Sequence, residues 1–154
     1  MQLKNRNAFL YMLAISEGTQ QIGSNNGYDV IVGSTKSHPN LITNYTDHPR
    51  VVVKLGKKLK STAAGRYQIK ASIYDAYKKQ LNLKGFYPED QDAIAYQLIS
   101  ECNALHLIDA GNFKQAVFAC RSRWASLPGA NYGQHINNIE LLIAAYSKAG
   151  GLIA

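Results

Sequence analysis

Apolar residues near the start of the chain recur at helical spacing. Phe9, Leu10, Leu13 and Ala14 predict an amphipathic helix from Asn5 to Ser16, with Glu17-Gly18 at its C-terminal end. The run from Thr19 to Gly27 is rich in Gln, Asn and Gly and reads as loop. Val30, Ile31 and Val32, bounded by Gly27 and Gly33, predict a short strand over Tyr28 to Val32. Pro39, Asn40, Asn44 and Pro49 make the stretch from Ser34 onward turn-rich. Val51 to Val53 then predicts a second β segment, followed by the basic run Lys54 to Lys60. After Arg66, the residues Tyr67, Ile69, Ile73, Tyr74 and Tyr77 fall on one face of a helix.

From Pro88 the pattern is helical almost throughout. Pro88 with Glu89, Asp90 and Asp92 marks a helix start, because early acidic residues complement the N-terminal dipole. Ala93, Ile94, Ala95, Leu98 and Ile99 supply its apolar face. Two further helices are predicted, Phe113 to Ala125 and Asn138 to Lys148, the last ending at Gly150-Gly151. No internal repeat, low-complexity tract or interdomain linker interrupts the chain. The pattern is that of one α+β domain over residues 1–154, mostly helical, with a small irregular β-containing part early.

The length of 154 residues is that of a single domain able to bury a substantial core. Charge narrows the partners: 17 Lys plus Arg against 10 Asp plus Glu leave a formal net charge of +7. Such a surface favours nucleic acid, anionic lipid or an acidic polymer. Cys102 and Cys120 are too few for a disulfide framework and lack metal spacing. They read as buried free thiols, with one disulfide open if their helices touch. The four histidines are scattered, so neither a metal nor an organic cofactor is indicated. Lys4 and Arg6 before the apolar run resemble a short signal peptide, but the helical spacing favours a first helix of the mature domain.

Three stretches carry candidate chemistry, each with a plainer alternative. Glu17 ends an apolar helix beside Gly18. A carboxyl partly enclosed by apolar groups holds its proton to higher pH and can act as an acid near neutrality; the plain reading is a surface glutamate. The stretch Ser61-Thr62-Ala63-Ala64-Gly65-Arg66-Tyr67-Gln68 combines capping hydroxyls, a permissive glycine, a charge, an aromatic face and an amide. That mixture suits a sugar, or a simple turn into a helix. The third is Trp124 to Gln134, where glycines around Tyr132 suit a binding loop or an ordinary interhelical connection.

In their shared order these stretches resemble the lambda-type phage endolysins, lysozyme-fold lytic transglycosylases. The resemblance runs through Ser16-Glu17-Gly18-Thr19, Gly27 to Gly33, Asp47-His48-Pro49-Arg50, Ala64 to Gln68 and Trp124 to Ala130. It implies a lysozyme-like fold with a cleft between lobes, and Glu17 as catalytic acid. It also implies the glycan strand of peptidoglycan as substrate, cut between N-acetylmuramic acid and N-acetylglucosamine to leave 1,6-anhydro ends. Asp29 and Gln68 would position sugar hydroxyls, Tyr132 would line the groove, and Tyr67 would shape it from inside. A monomer is implied, made in the host cytoplasm, released by a separate holin and acting on the periplasmic wall. Neither nucleic acid nor a stable membrane contact belongs to that picture.

The chain departs from that family at a longer loop, Ser34 to Asn44, at Ile15, Ala63 and Asn131, and in the more basic segment Val51 to Lys58. These positions bear on subsite preference and lip motion rather than reaction type. Two other readings stay open. One is a hydrolytic muramidase in which Asp29 or Asp47 activates water. The other is a non-catalytic wall- or nucleic-acid-binding module using the Lys54 to Lys60 run.

Overall fold

The computed structural model describes residues 1–129 and 136–154. Elements follow in the order α1 (Gln2–Ser16), β1 (Val53–Lys54), β2 (Lys60–Ser61), α2 (Ala71–Tyr77), α3 (Pro88–Glu101), α4 (Leu105–Asp109), α5 (Phe113–Cys120) and α6 (Ile139–Lys148). The chain divides into two compact units: residues 1–17 with 96–154, and residues 18–95. No described helix is long and apolar enough to cross a membrane.

The first unit is helical. In α1, Ala8, Phe9, Leu10, Met12, Leu13 and Ala14 are all buried, so apolar contact surrounds the helix more fully than a single stripe would. The helix packs against α6 and α4. Phe113 links them, with its ring 6.2 Å from Phe9 edge-on and 4.5 Å from Tyr146. Asn5, also buried, ties three segments together: its amide donates to Ile108 O at 3.0 Å, and its oxygen accepts from Leu152 N at 2.9 Å. Asn138 caps α6 by accepting from Glu140 N at 2.8 Å. The cysteines are free thiols, hydrogen-bonded to each other. Cys120 is buried as expected, while Cys102 is half-buried; their mutual hydrogen bond, with Arg123 nearby, draws the Cys102 thiol down, and the same bond together with burial pushes Cys120 up.

The second unit has little regular structure. The predicted strand at Tyr28 to Val32 forms only single bridges, Val30 to Leu41 and Ile31 to Ala64. Its backbone is nevertheless satisfied from two sides, by Ile31 N to Asn40 O at 3.0 Å and Val32 N to Ala63 O at 3.0 Å. Gly27 and Gly33, both at positive φ, turn the chain away before either ladder can grow. The second β segment is real but displaced: Val53 pairs with Ser61 and Lys54 with Lys60 in an antiparallel hairpin.

Helix α2 starts at Ala71, not near Arg66. Gln68 stands at φ +52 and Ile69 bridges Ala64, so Tyr67 and Ile69 belong to a turn. The helix predicted to run from Phe113 to Ala125 stops at Cys120, and short α4 had no clear period to announce it. The start of α3 follows expectation, because Asp90 accepts from Tyr87 N at 3.1 Å as in a capping box. Of its predicted apolar face, Ile94, Ala95, Leu98 and Ile99 are buried and Ala93 is half-buried.

Candidate active site

Glu17 lies where α1 ends. Its N–H still bonds Leu13 O at 2.8 Å, and Gly18 follows at φ +74, the left-handed turn that stops the helix. The residue is half-buried, and Ser126 Oγ donates to its Oε1 at 3.1 Å. Burial pushes the carboxyl up from 4.5 to about 7, against the smaller downward pull of the Ser126 hydroxyl. The C-terminal end of a helix also disfavours a negative charge. A carboxyl so placed is able to give or take a proton near neutral pH.

Beneath it lies a polar cluster that sequence reading missed. Ser16 Oγ and Ser126 Oγ are 2.8 Å apart, and Asn137 Nδ2 donates to Ser16 O at 2.8 Å and to Ser16 Oγ at 3.1 Å. The signals available were the adjacency of Ser16 to Glu17 and the place of Ser126 in the Trp-Ala-Ser-Leu-Pro-Gly run. Neither identifies a contact across more than a hundred residues of sequence.

Asp29, Tyr67 and Gln68 belong to residues 18–95, and each is held by internal bonds. Asp29 is 3% exposed, with Oδ2 accepting from Ser24 N and Ser24 Oγ, both at 3.1 Å. Its Oδ1 is buried with no hydrogen-bond partner among the described residues. Tyr67 is 1% exposed and donates to Asp92 Oδ1 at 2.6 Å, beside Tyr28, which donates to the same oxygen at 2.9 Å. The Arg66 guanidinium lies 5.1 Å from the centre of the Tyr28 ring. Burial and the Asp92 charge push both phenols up, Tyr28 to about 12. Gln68 donates to Gly65 O at 3.0 Å and Val30 O at 3.2 Å. The sugar-like mixture of side chains from Arg66 to Gln68 is thus turned largely inward. Tyr132 lies outside the described residues.

The other acidic candidate, Asp47, is an ion-pair partner. Arg50 Nε donates to it at 2.9 Å while Nη2 reaches Asp75 at 2.7 Å, and the guanidinium holds both carboxyls below the usual range.

Residues 7–153 match the family model described as Endolysin. The chain is 53% identical to the endolysin of Escherichia phage lambda over 151 residues, covering 96% of this chain and 92% of that protein. Identity to the endolysin of Escherichia phage P2 is 45% over 160 residues, covering 98% and 96%. The solved structure of bacteriophage lambda lysozyme complexed with a chitohexasaccharide superposes with a TM-score of 0.92 at 52% identity, over 98% of this chain and 97% of that one. The α+β fold is thus lysozyme-like, and the chain belongs to the endolysin family, the phage enzymes that degrade peptidoglycan for host lysis.

Proposed function

We propose that this chain cleaves the β-1,4 bond between N-acetylmuramic acid and N-acetylglucosamine as a lytic transglycosylase, with Glu17 as its single acid and base. The observation that carries this reading is the Glu17 carboxyl, half-buried and raised to about 7, with the Ser126 hydroxyl as its side-chain hydrogen-bond partner among the described residues. Protonated, it gives its proton to the glycosidic oxygen as positive charge grows at C1 of the muramic acid. As a carboxylate, it then takes the proton of that sugar's C6 hydroxyl. O6 attacks C1 and closes the 1,6-anhydro ring, which restores the acid for the next cycle. The nucleophile belongs to the substrate, so its high effective molarity substitutes for a second carboxylate.

The surroundings of the remaining candidates favour this route over a hydrolytic one. A general base for water needs a free, basic carboxylate. Asp47 is held by Arg50 with its proton affinity lowered, and Asp29 is buried against Ser24. Asp29, Gln68, Tyr67 and Tyr132 serve the sugar as brace or contact. The bound chitohexasaccharide of the lambda relative supports a glycan as ligand. All 154 residues act as one catalytic domain, working as a monomer on the periplasmic wall after release from the cytoplasm by a holin.

Product analysis on purified peptidoglycan tests the reaction. Transglycosylation leaves anhydro-muramyl ends, one water lighter than the reducing ends left by hydrolysis. Reducing ends would overturn the proposal. Glu17→Gln should lower cleavage at least about 10³-fold, the scale of a lost general acid.

A further inference from the structure

We propose that Ser126 is a positioning residue for Glu17, oriented in turn by Ser16 and Asn137, so that the acid carries its proton on Oε2 and presents that oxygen to the substrate. This rests on the reading of Glu17 as the catalytic acid. Hydrogen-bond direction orders these groups. The amide nitrogen of Asn137 can only donate, and Ser16 Oγ lies 3.1 Å from it. Ser16 Oγ is then an acceptor there, and its own hydrogen is free to point to Ser126 Oγ at 2.8 Å. Ser126, accepting from Ser16, has its single hydrogen left for Glu17 Oε1 at 3.1 Å. Asn137 Nδ2 has two hydrogens for three acceptors, Ser16 O at 2.8 Å, Ser16 Oγ at 3.1 Å and Ser126 O at 3.3 Å; the two shorter contacts take them, and the relay then runs Asn137 to Ser16 to Ser126 to Glu17.

The relay ends on one oxygen of the carboxyl and occupies it in both protonation states. In the acid form Oε1 is the carbonyl oxygen, so the proton resides on Oε2. In the carboxylate form the same hydroxyl steadies the charge on Oε1 and leaves Oε2 to accept the C6 proton. The relay is itself anchored by backbone: Asn137 N donates to Ser126 O at 2.9 Å, and Asn137 Nδ2 donates to Ser16 O at 2.8 Å. The ends of α1, the Trp124–Pro128 turn and the approach to α6 are thereby fastened at one point.

Among the described residues, three cationic groups on or beside these elements have other partners. Arg6 of α1 is paired with Asp109, Arg123 with Glu101, and the Arg121 guanidinium sits 3.6 Å over the Phe118 ring. Glu140 in the first turn of α6 is exposed. Burial pushes the Glu17 titration up, and the Ser126 hydrogen bond pulls it down.

The test reads Glu17 directly, by carbon NMR titration of its side-chain carboxyl in the whole protein without substrate. Ser126→Ala should move the midpoint upward by about one pH unit, the scale of a hydrogen bond to a charged group. Ser126→Thr, which keeps the hydroxyl, should restore it. On soluble glycan strands, Ser126→Ala should lower kcat about tenfold or more with KM nearly unchanged. A midpoint that stays in place in Ser126→Ala overturns the proposal. If that variant does not fold, Ser16→Ala should shift the midpoint the same way by a smaller amount, and an unmoved midpoint there overturns it equally. Reducing-end products from the wild type would remove the transglycosylase reading and leave this titration result standing.

Discussion

Gln91 occupies the space that a side chain at position 65 would need. A Cβ on Gly65 would lie 2.7 Å from Gln91 Cδ and 3.1 Å from Phe86 Cε1, and Gly65 stands at φ +79. The close approach that this glycine permits is used by the protein itself. Gln91 is fully buried, accepts from Arg66 N at 2.9 Å, and donates to Phe86 O at 2.9 Å and Tyr28 O at 3.0 Å. Gln91→Ala strands three backbone groups and should destabilise the protein by roughly 3–5 kcal/mol. Gly65→Ala should cost about 2–4 kcal/mol through backbone strain and the clash. Urea midpoints measure both, and a loss below about 1 kcal/mol for Gln91→Ala would contradict the bracing role.

Ionisation of Glu17 makes stability depend on pH. The folded carboxyl titrates at about 7 against an ordinary 4.5, so the folded state binds this proton more tightly than the unfolded chain. The resulting stability is present below pH 4.5 and is lost as pH rises through 7. The full difference corresponds to about 3 kcal/mol. Glu17→Gln cannot ionise, so it should exceed the wild type by about 2–3 kcal/mol at pH ~8 and match it near pH ~4. An equal gap at both pH values in urea unfolding would show that the carboxyl is not held protonated by the fold.

Much of this was legible in the sequence, and the failures have physical reasons. Helices α1, α3 and α6 were visible because their apolar periods are long and their ends carry Gly18, Pro88 with Asp90, and Asn138. The strand at Tyr28 to Val32 failed because pairing requires partners of matching length, which local composition does not encode. The helical face from Tyr67 failed because Gln68 takes a left-handed turn that frees Tyr67 to reach Asp92. The enclosed setting of the Glu17 carboxyl was legible through its apolar helix and its glycine, whereas its role as acid was implied by the resemblance alone. Ser126 and Asn137 were not legible, because a hydrogen bond across a fold leaves no local pattern.

The two other candidate carboxylates separate the reaction types. Asp47→Asn removes an exposed partner of Arg50, which keeps its bonds to Asp75. Its effect on stability should stay within about 1 kcal/mol. Cleavage should remain within about threefold of wild type, whereas a base for water would lose about 100-fold or more. Asp29→Asn should lower stability by about 1–2 kcal/mol through its Ser24 bonds while retaining part of the activity. Initial rates on purified walls, set beside unfolding midpoints, distinguish a lost brace from a lost base.

The hairpin gives the positive charge of the chain a specific address. Lys54 and Lys60 are direct cross-strand partners, and both are exposed with Lys57 and Lys58 nearby. Like charges placed opposite each other weaken a strand pair by a few tenths of a kcal/mol up to about 1. Lys60→Glu converts that repulsion to attraction, so the hairpin should become more stable, by roughly 0.5–1 kcal/mol at low salt. The same change removes two units of positive charge from a surface that would meet an anionic wall. Binding to purified peptidoglycan at low ionic strength should therefore fall, and its salt dependence should become shallower. Pelleting with walls across a sodium chloride series measures both. If Lys60→Glu binds as well as wild type at every salt concentration, the hairpin lysines do not contribute to attraction, and the excess charge acts from elsewhere on the surface.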